Sequence, residues 1–387
     1  MENFRFKSAT RILFGKGLES QVGQEIAGKY KKVLIHYGGG HVEKSGLLDR
    51  VTKSLEANQI EFVILDGVVP NPRLTKVHAG IELCRKEDVD FILAIGGGSA
   101  IDSSKAIAMG VPYAGDVWDF YTGSASPESA LPVGTILTIP GSGSEMSESS
   151  IITHEEQKLK YGIDNELIVP VFSVLNPEMC LTIPPRLMAA GIADILSHLM
   201  ERYFTPTKQT ILSDYLLEGA MKAVMEAGLK LMEDPKNYDH AAEIMWSATV
   251  AHNGMLSSGR VEDWASHRIE HEISALYDVT HGAGMAMIFP SWMRYVKEAN
   301  IERFCRFATE VFGMAETSDR LGLAESGICA LEKFFTALGL QVRLSEAGVP
   351  VDQFVLMAQK ATQNSEYVGN FKKINAEDIV RILEMAV

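Results

Sequence analysis

Short apolar runs that end at glycine-rich turns constrain the fold of this 387-residue chain more than any other feature. Such runs, separated by stretches with helical spacing, are typical of parallel strands that are buried on both faces. The sequence therefore predicts an α/β fold with a parallel sheet in the first half. The runs are Lys32-Val-Leu-Ile-His-Tyr37, Phe62 to Leu65, Phe91-Ile-Leu-Ala-Ile95, Thr135-Ile-Leu-Thr-Ile139 and Val171 to Leu175.

The pattern changes after Thr182-Ile-Pro-Pro185, where long segments with helical spacing of apolar residues begin. Adjacent prolines continue neither a strand ladder nor a helix interior, so they mark a boundary. A chain of this length also exceeds one ordinary hydrophobic core. We therefore predict an α/β domain over residues 1–184 and an all-helical domain over residues 185–387.

Charge and hydropathy exclude several classes of partner. The formal net charge is -14 and no Lys/Arg-rich block occurs, which argues against nucleic acid. No apolar run reaches the roughly 20 residues of a membrane span, and the first residues lack the apolar core of a signal peptide. The four cysteines are far apart, as expected of buried thiols under reducing conditions. We predict a cytoplasmic protein without a membrane or nucleic-acid partner.

Two polar turns follow predicted strands and could bind phosphate. Gly96-Gly-Gly-Ser99 opens a helical stretch, so backbone amides and the positive end of a helix would face one ligand. Asp102, one turn later, could cap the helix or reach a ribose hydroxyl. Thr138 and Ser142 offer hydroxyls from the second turn, at the same edge of the sheet. The alternatives are a tight turn without a ligand and a plain Ser/Gly-rich loop.

A third turn, Gly38-Gly-Gly40, bears on the choice of cofactor. In NAD-selective sites an acidic side chain usually accepts hydrogen bonds from the ribose and would repel a 2′-phosphate. Gly38 and Gly39 carry no charge. Their presence favours NADP(H) over NAD(H), although the sequence shows no arginine that would clamp the phosphate.

Histidines and one aspartate recur at helical spacing in the second half. Asp194 and His198 are four residues apart, which places both side chains on one helix face. His267 and His271 repeat the spacing, and His281 stands at a predicted helix start. Such ligands suit Fe(II) or Zn(II) acting as a Lewis acid. Each histidine could instead be an ordinary buried or surface residue, and the first pair could arise by chance.

Together these segments resemble the iron-containing alcohol dehydrogenase family, in its butanol dehydrogenase and NADPH-dependent aldehyde reductase branch. The resemblance runs over nearly the whole chain. It is carried by Thr10-Arg-Ile-Leu-Phe-Gly-Lys-Gly17, Pro70-Asn-Pro72, Gly96-Gly-Gly-Ser-Ala-Ile-Asp102, Thr138-Ile-Pro-Gly-Ser-Gly-Ser-Glu145, Gly191-Ile-Ala-Asp-Ile-Leu-Ser-His198, His267-Arg-Ile-Glu-His271 and Thr280-His-Gly-Ala-Gly284.

The resemblance implies a function and a set of site residues. The function is metal-dependent hydride transfer between NADP(H) and short-chain alcohols or aldehydes, on a dehydroquinate synthase-like two-domain architecture, often in a homodimer. His271 would relay a proton beside the metal. The implied metal ligands are Asp194, His198, His267 and His281. The implied cofactor-binding residues are Gly38, Gly39, Asn71, Gly97, Gly98, Ser99, Asp102, Thr138, Ser142 and Lys160.

Three other functions remain open at this point. A glycerol-type polyol dehydrogenase of the same superfamily would bind its metal through one carboxylate and two histidines. This chain has a third candidate histidine ligand, His198, which argues against that function. A dehydroquinate-synthase-like lyase would need a glutamate ligand and a lysine cluster. A catalytically silent protein that binds NADP or metal is the third alternative, and the presence of all four implied metal ligands argues against it.

Overall fold

The computed structural model describes residues 1–363 and 365–387. Its contacts divide the chain into two compact units. We call Ser8–Ile183 the sheet unit, and we call Pro184–Val387 together with Met1–Lys7 the helical unit.

The sheet unit contains a six-stranded parallel sheet and a separate antiparallel hairpin. The sheet has the order β1-β8-β5-β4-β2-β3, and β6 pairs with β7 in the hairpin. The α/β prediction is confirmed, whereas the hairpin was not predicted. The strands are β1 (Arg11–Phe14), β2 (Lys32–Tyr37), β3 (Glu61–Leu65), β4 (Phe91–Gly96), β5 (Val133–Leu137), β6 (Ser149–His154), β7 (Leu159–Asp164) and β8 (Phe172–Leu175).

Helices cover both faces of this sheet, which explains its unbroken apolar strands. Val33 and Ile35 of β2 belong to one buried cluster, whereas Leu34 belongs to another. Both faces of the strand are therefore dry, and alternation with polar residues is lost. The helices of this unit are α1 (Val22–Ile26), α2 (His41–Lys44), α3 (Leu47–Ala57), α4 (Leu74–Lys86), α5 (Gly98–Gly110) and α6 (Trp118–Thr122).

The helical unit has a core rich in aromatic side chains. The Phe204 ring lies 4.7 Å from that of Phe304 and 5.6 Å from that of Trp292, measured between centroids. The predicted all-helical character is confirmed for the described residues. The helices are α7 (Pro185–Tyr203), α8 (Ile211–Glu233), α9 (Tyr238–Ala251), α10 (Ala265–Tyr277), α11 (His281–Val296), α12 (Ile301–Arg306), α13 (Arg320–Ala337), α14 (Phe354–Ala361) and α15 (Ala376–Met385).

Hydropathy along these helices bears on membrane insertion. Within residues 1–363 and 365–387, none of the helices combines the length and the apolar content that a bilayer span requires.

Candidate cofactor and metal sites

The three predicted turns meet at one edge of the sheet. Strands β5, β4 and β2 are neighbours, with Tyr37 paired to Ile95 and Gly96 paired to Leu137. The residues that follow these pairs therefore leave the sheet side by side. Chain order also reverses between β2 and β4, because β3 lies beyond β2 whereas β5 lies beyond β4. Open α/β sheets bind their ligands at such a switch point.

The turn before α5 packs directly on the turn after β5. A Cβ added at Gly98 would lie 2.3 Å from Ser142 Oγ, and one at Gly97 would lie 3.1 Å from Ile139 Cβ. Thr138 is anchored by its backbone N–H, which donates to Gly96 O at 2.9 Å. Gly97, Gly98, Ser99 and Ser142 are all partly exposed, so the helix N-terminus is accessible to an anion.

The glycines after β2 leave open space. A Cβ at Gly39 would meet no atom within 4 Å, and Gly38 and Gly39 are both partly or fully exposed. An acidic side chain nevertheless follows them at Glu43, where the carboxylate accepts a 2.6 Å hydrogen bond from the Tyr37 hydroxyl. Sequence reasoning overlooked Glu43 because it lies three residues beyond Gly40, the last of these glycines.

Asp102 is turned toward the protein's own loop. Its carboxylate accepts from Ser144 Oγ at 2.6 Å and from the Ile151 N–H at 3.2 Å, and the residue is 7% exposed. Burial raises the pKa of this carboxyl, and nearby Lys105 opposes that shift. In this structure Asp102 therefore organises the loop between β5 and β6, whereas the sequence suggested a helix cap or a ribose contact.

Asn71 and Lys160 lie in adjoining segments of the sheet unit. Asn71 is buried and adopts a left-handed conformation with φ 55°. Lys160 is buried in β7 opposite Thr153 of β6, and the Thr153 N–H donates to Pro72 O at 2.8 Å. The hairpin thus brings Lys160 toward the segment that contains Asn71.

The metal candidates converge in the helical unit. Asp194 and His198 are one turn apart on α7, with His198 Nε2 3.7 Å from Asp194 Oδ1. His281, the first residue of α11, places Nε2 3.6 Å from the same oxygen. Potential ligand atoms of Asp194, His267 and His281 lie within 4.8 Å of one another. The His198 ring is 4.9 Å from the His267 ring, so all four side chains are gathered together.

The donor types, and the two separations from Asp194 to His198 and His281, fit one divalent ion. Two ligand atoms at 2.0–2.2 Å from an ion are separated by at most about 4.4 Å, and the separations of 3.6 and 3.7 Å satisfy that limit. Burial, with the neighbouring His252, His267 and Arg202, lowers the pKa of His198 well below its usual value. The imidazole therefore stays neutral, which is the form that binds metals.

Two buried glutamates orient the histidines, and sequence reasoning missed both. Glu201 accepts a hydrogen bond from His267 Nδ1 at 2.7 Å, and Glu270 accepts one from His281 Nδ1. For His281 this arrangement turns Nε2 toward Asp194. Carboxylates in this position fix ring orientation and increase ligand basicity. The available signal was spacing, since Glu201 follows His198 by three residues and Glu270 follows His267 by three.

His271 lies beside the cluster. It is half-buried on α10, one turn after His267, and its ring is 5.6 Å from that of His281. Its ligand-type atoms also lie within 4.8 Å of those of Glu270 and His281. The imidazole can therefore exchange protons close to the candidate metal position.

Comparison with known proteins identifies the family. The profile "Iron-containing alcohol dehydrogenase" matches residues 9–177, and the profile of the C-terminal domain of this family matches residues 188–387. The chain is 40% identical over 386 residues to NADH-dependent butanol dehydrogenase A of Clostridium acetobutylicum, covering 99% of each chain. It is 33% identical over 390 residues to NADPH-dependent aldehyde reductase YqhD of Escherichia coli, covering 100% of each.

A solved structure agrees with these sequence matches. The crystal structure of NADH-dependent butanol dehydrogenase A from Thermotoga maritima superposes with a TM-score of 0.97 at 38% identity, covering 100% of this chain and 99% of that one. The resemblance seen in the sequence motifs is thereby confirmed. The chain belongs to the iron-containing alcohol dehydrogenase family and is an alcohol or aldehyde dehydrogenase of the butanol dehydrogenase type.

Proposed function

We propose that this protein transfers hydride between NADP(H) and short-chain alcohols or aldehydes, with aldehyde reduction as the favoured direction. Asp194, His198, His267 and His281 would hold one Fe(II) or Zn(II) ion. The observation that carries the proposal is the convergence of Asp194, His267 and His281, whose potential ligand atoms lie within 4.8 Å of one another, with His198 Nε2 3.7 Å from Asp194 Oδ1.

Some residues of the chain would position the cofactor and the metal, and His271 would transfer a proton. When bound, a divalent ion supplies Lewis-acid stabilisation of negative charge on oxygen, and a nicotinamide supplies or accepts the hydride. The amides at Gly97 and Gly98 and the hydroxyls of Ser99 and Ser142 would bind the pyrophosphate at the start of α5. Asn71, Thr138 and Lys160 would complete the cofactor site.

The preference for NADP(H) is proposed from the turn after β2. Gly38 and Gly39 place no acidic side chain at the end of the strand, and the space beside Gly39 is open. Of the relatives named above, the two butanol dehydrogenases, at 40% and 38% identity, are NADH-dependent, and the aldehyde reductase, at 33% identity, is NADPH-dependent. The glycines alone therefore support the preference for NADP(H).

His271 is proposed as the proton relay. Its half-buried imidazole stands one helical turn from His267 and can hold the alcohol proton on a ring nitrogen before passing it to water. Replacing it in His271→Asn should lower turnover while leaving metal content unchanged. Equal losses of metal and turnover would assign His271 to metal binding instead.

The decisive experiment measures reduction of butanal by metal-stripped protein reloaded with Fe(II) or Zn(II). NADPH and NADH oxidation are followed separately at the nicotinamide absorbance. Metal-dependent activity with lower KM for NADPH supports the whole proposal, whereas lower KM for NADH would overturn only the cofactor preference. Absence of turnover with any short aldehyde or alcohol would favour a silent binding protein.

We also propose a homodimer in the cytoplasm. Strand β1 lies at the edge of the sheet, and an edge strand offers backbone groups that can pair with a second chain. All four cysteines are free thiols, as expected under reducing conditions. Light scattering of the purified protein would measure the oligomeric state.

A further inference from the structure

Lys105 is a fully buried lysine in the middle of α5. Its exposed fraction is 0%, and a buried ammonium is costly unless its donors are satisfied. Burial lowers its pKa to about 8, while the Asp102 and Glu145 carboxylates act in the opposite direction. The side chain is therefore still charged at neutral pH.

The ammonium binds the loop between β5 and β6. Nζ donates to the carbonyl oxygens of Ser144 at 2.7 Å, Ser147 at 2.8 Å and Ser149 at 2.8 Å. An ammonium has three N–H donors, so these three carbonyls use its full capacity. Ser144 Oγ lies 3.0 Å from the same nitrogen.

Asp102 binds the same loop from one turn earlier on α5. The Ser144 hydroxyl lies between the two side chains, since it donates to Asp102 at 2.6 Å and is 3.0 Å from Lys105 Nζ. The Ser150 hydroxyl donates to Asp102 O at 2.9 Å. Asp102 and Lys105 thus attach residues 144–151 to the helix through the hydrogen bonds of a carboxyl and an ammonium group, and we call this pair the α5 clamp.

The clamp lies next to the two turns that are proposed to bind the cofactor. Helix α5 begins at Gly98, and Ser142, two residues before the clamped segment, has its Oγ 2.3 Å from the position of a Cβ added at Gly98. A loop released from Lys105 would be free to move away from the helix N-terminus. The amides of one turn and the hydroxyl of the other would then no longer face one ligand.

We propose that Lys105 is a positioning residue for nicotinamide cofactor binding, which acts by fixing the Ser142-containing loop against the start of α5. The inference rests on the proposed cofactor role of these turns. Lys105 itself is enclosed by the protein, so its role would be indirect, without contact to a bound cofactor.

Lys105→Met tests the proposal because it keeps an apolar stem and removes all three donors. NADPH binding is titrated by its fluorescence, and hydrogen–deuterium exchange is measured over residues 141–149. We expect a dissociation constant raised at least tenfold, KM for the cofactor raised more than kcat is lowered, and faster exchange in the loop. Metal content should not change. Lys53→Met, at an exposed position of α3, is the matched control and should bind as the wild type does.

The two readouts separate this proposal from the proposed function. If the wild type binds neither NADPH nor NADH, the proposed function fails, while loop exchange in Lys105→Met still tests the clamp. Unchanged exchange and unchanged binding in Lys105→Met would overturn the inference. Should that variant fail to fold, Ser144→Ala removes only the bridging hydroxyl. It is expected to weaken binding at least threefold, and wild-type binding by Ser144→Ala would then refute the clamp.

Discussion

Gly282 sets how closely α11 approaches α7, and Gly282→Ala tests that role. An added Cβ would lie 1.9 Å from Ala190 O and 2.7 Å from the Ala190 carbonyl carbon. Both are backbone atoms, so no side-chain rotation can relieve the overlap. An ordinary carbon–oxygen contact is about 3.3 Å, so the start of α11 would have to retreat by about 1.4 Å.

That retreat would separate two of the candidate metal ligands. His281 Nε2 now lies 3.6 Å from Asp194 Oδ1. Adding the displacement gives about 5 Å, which exceeds the roughly 4.4 Å that two ligands of one ion can span. We expect metal affinity to fall by about 10- to 100-fold. The free energy of unfolding should fall by about 1–3 kcal/mol because of overpacking.

The assay combines chelator competition for metal affinity with urea unfolding, and Gly219→Ala provides the control. Gly219 lies on the exposed side of α8, and an added Cβ there meets nothing within 4 Å. Its substitution should raise the free energy of unfolding by up to about 1 kcal/mol through helix propensity, without changing metal affinity. Wild-type metal affinity and stability in Gly282→Ala would refute the reasoning.

Three further predictions concern other parts of the molecule. Burial lowers the pKa of His36 from 6.5 to about 4. Between these pH values the unfolded chain binds the proton and the folded chain does not, so the free energy of unfolding falls as the pH is lowered from 6.5 toward 4. Urea unfolding of the wild type should show the free energy of unfolding falling by on the order of 3 kcal/mol over this pH range, and His36→Gln should not show this fall. An equal pH dependence of the free energy of unfolding in both proteins would contradict this. Glu201→Gln replaces the carboxyl group that accepts a hydrogen bond from His267 Nδ1. The variant should bind metal about tenfold more weakly in chelator competition, with NADPH affinity unchanged, and parallel loss of both would point to general misfolding. Gly39→Asp places a carboxylate in open space after β2, where it would repel a 2′-phosphate, so KM for NADPH should rise about tenfold or more relative to KM for NADH. A larger rise in KM for NADH would argue against a 2′-phosphate position at this turn.

The parts of the fold that sequence patterns predicted are those set by local geometry. A strand buried on both faces has to be apolar at consecutive positions, as Val33, Leu34 and Ile35 are. A parallel sheet then places the following turns at one edge without further information. The hairpin β6–β7 was missed because Ser149–His154 and Leu159–Asp164 mix hydroxyl and charged residues with apolar ones. Such a short strand pair gives no continuous apolar run.

The candidate metal ligands also divide into those that local geometry predicts and those that it does not. Asp194 and His198 are related by helical spacing, so their proximity could be predicted from the sequence. Nothing local relates His267 or His281 to them, and these two were inferred from the family resemblance. For His281 the structure supplies the link, namely the close approach of α11 to α7 at Gly282, where an added Cβ would also lie 3.1 Å from Asp194 Cβ. His267 lies on α10, and its ring is 4.9 Å from that of His198.

Charged residues account for the largest gap between sequence reasoning and the structure. Lysine and glutamate are almost always exposed, so a helical pattern assigns them to the solvent face. Lys105 and Glu201 are instead fully buried, and each binds backbone or side-chain groups of a segment more than 35 residues away in the chain. A buried charge is stable only where several partners converge on it, so such residues occur where a loop must hold one conformation. Both lie within two turns of a predicted site residue on the same helix. Charged positions on the helices that carry ligand motifs are therefore where further positioning residues should be sought.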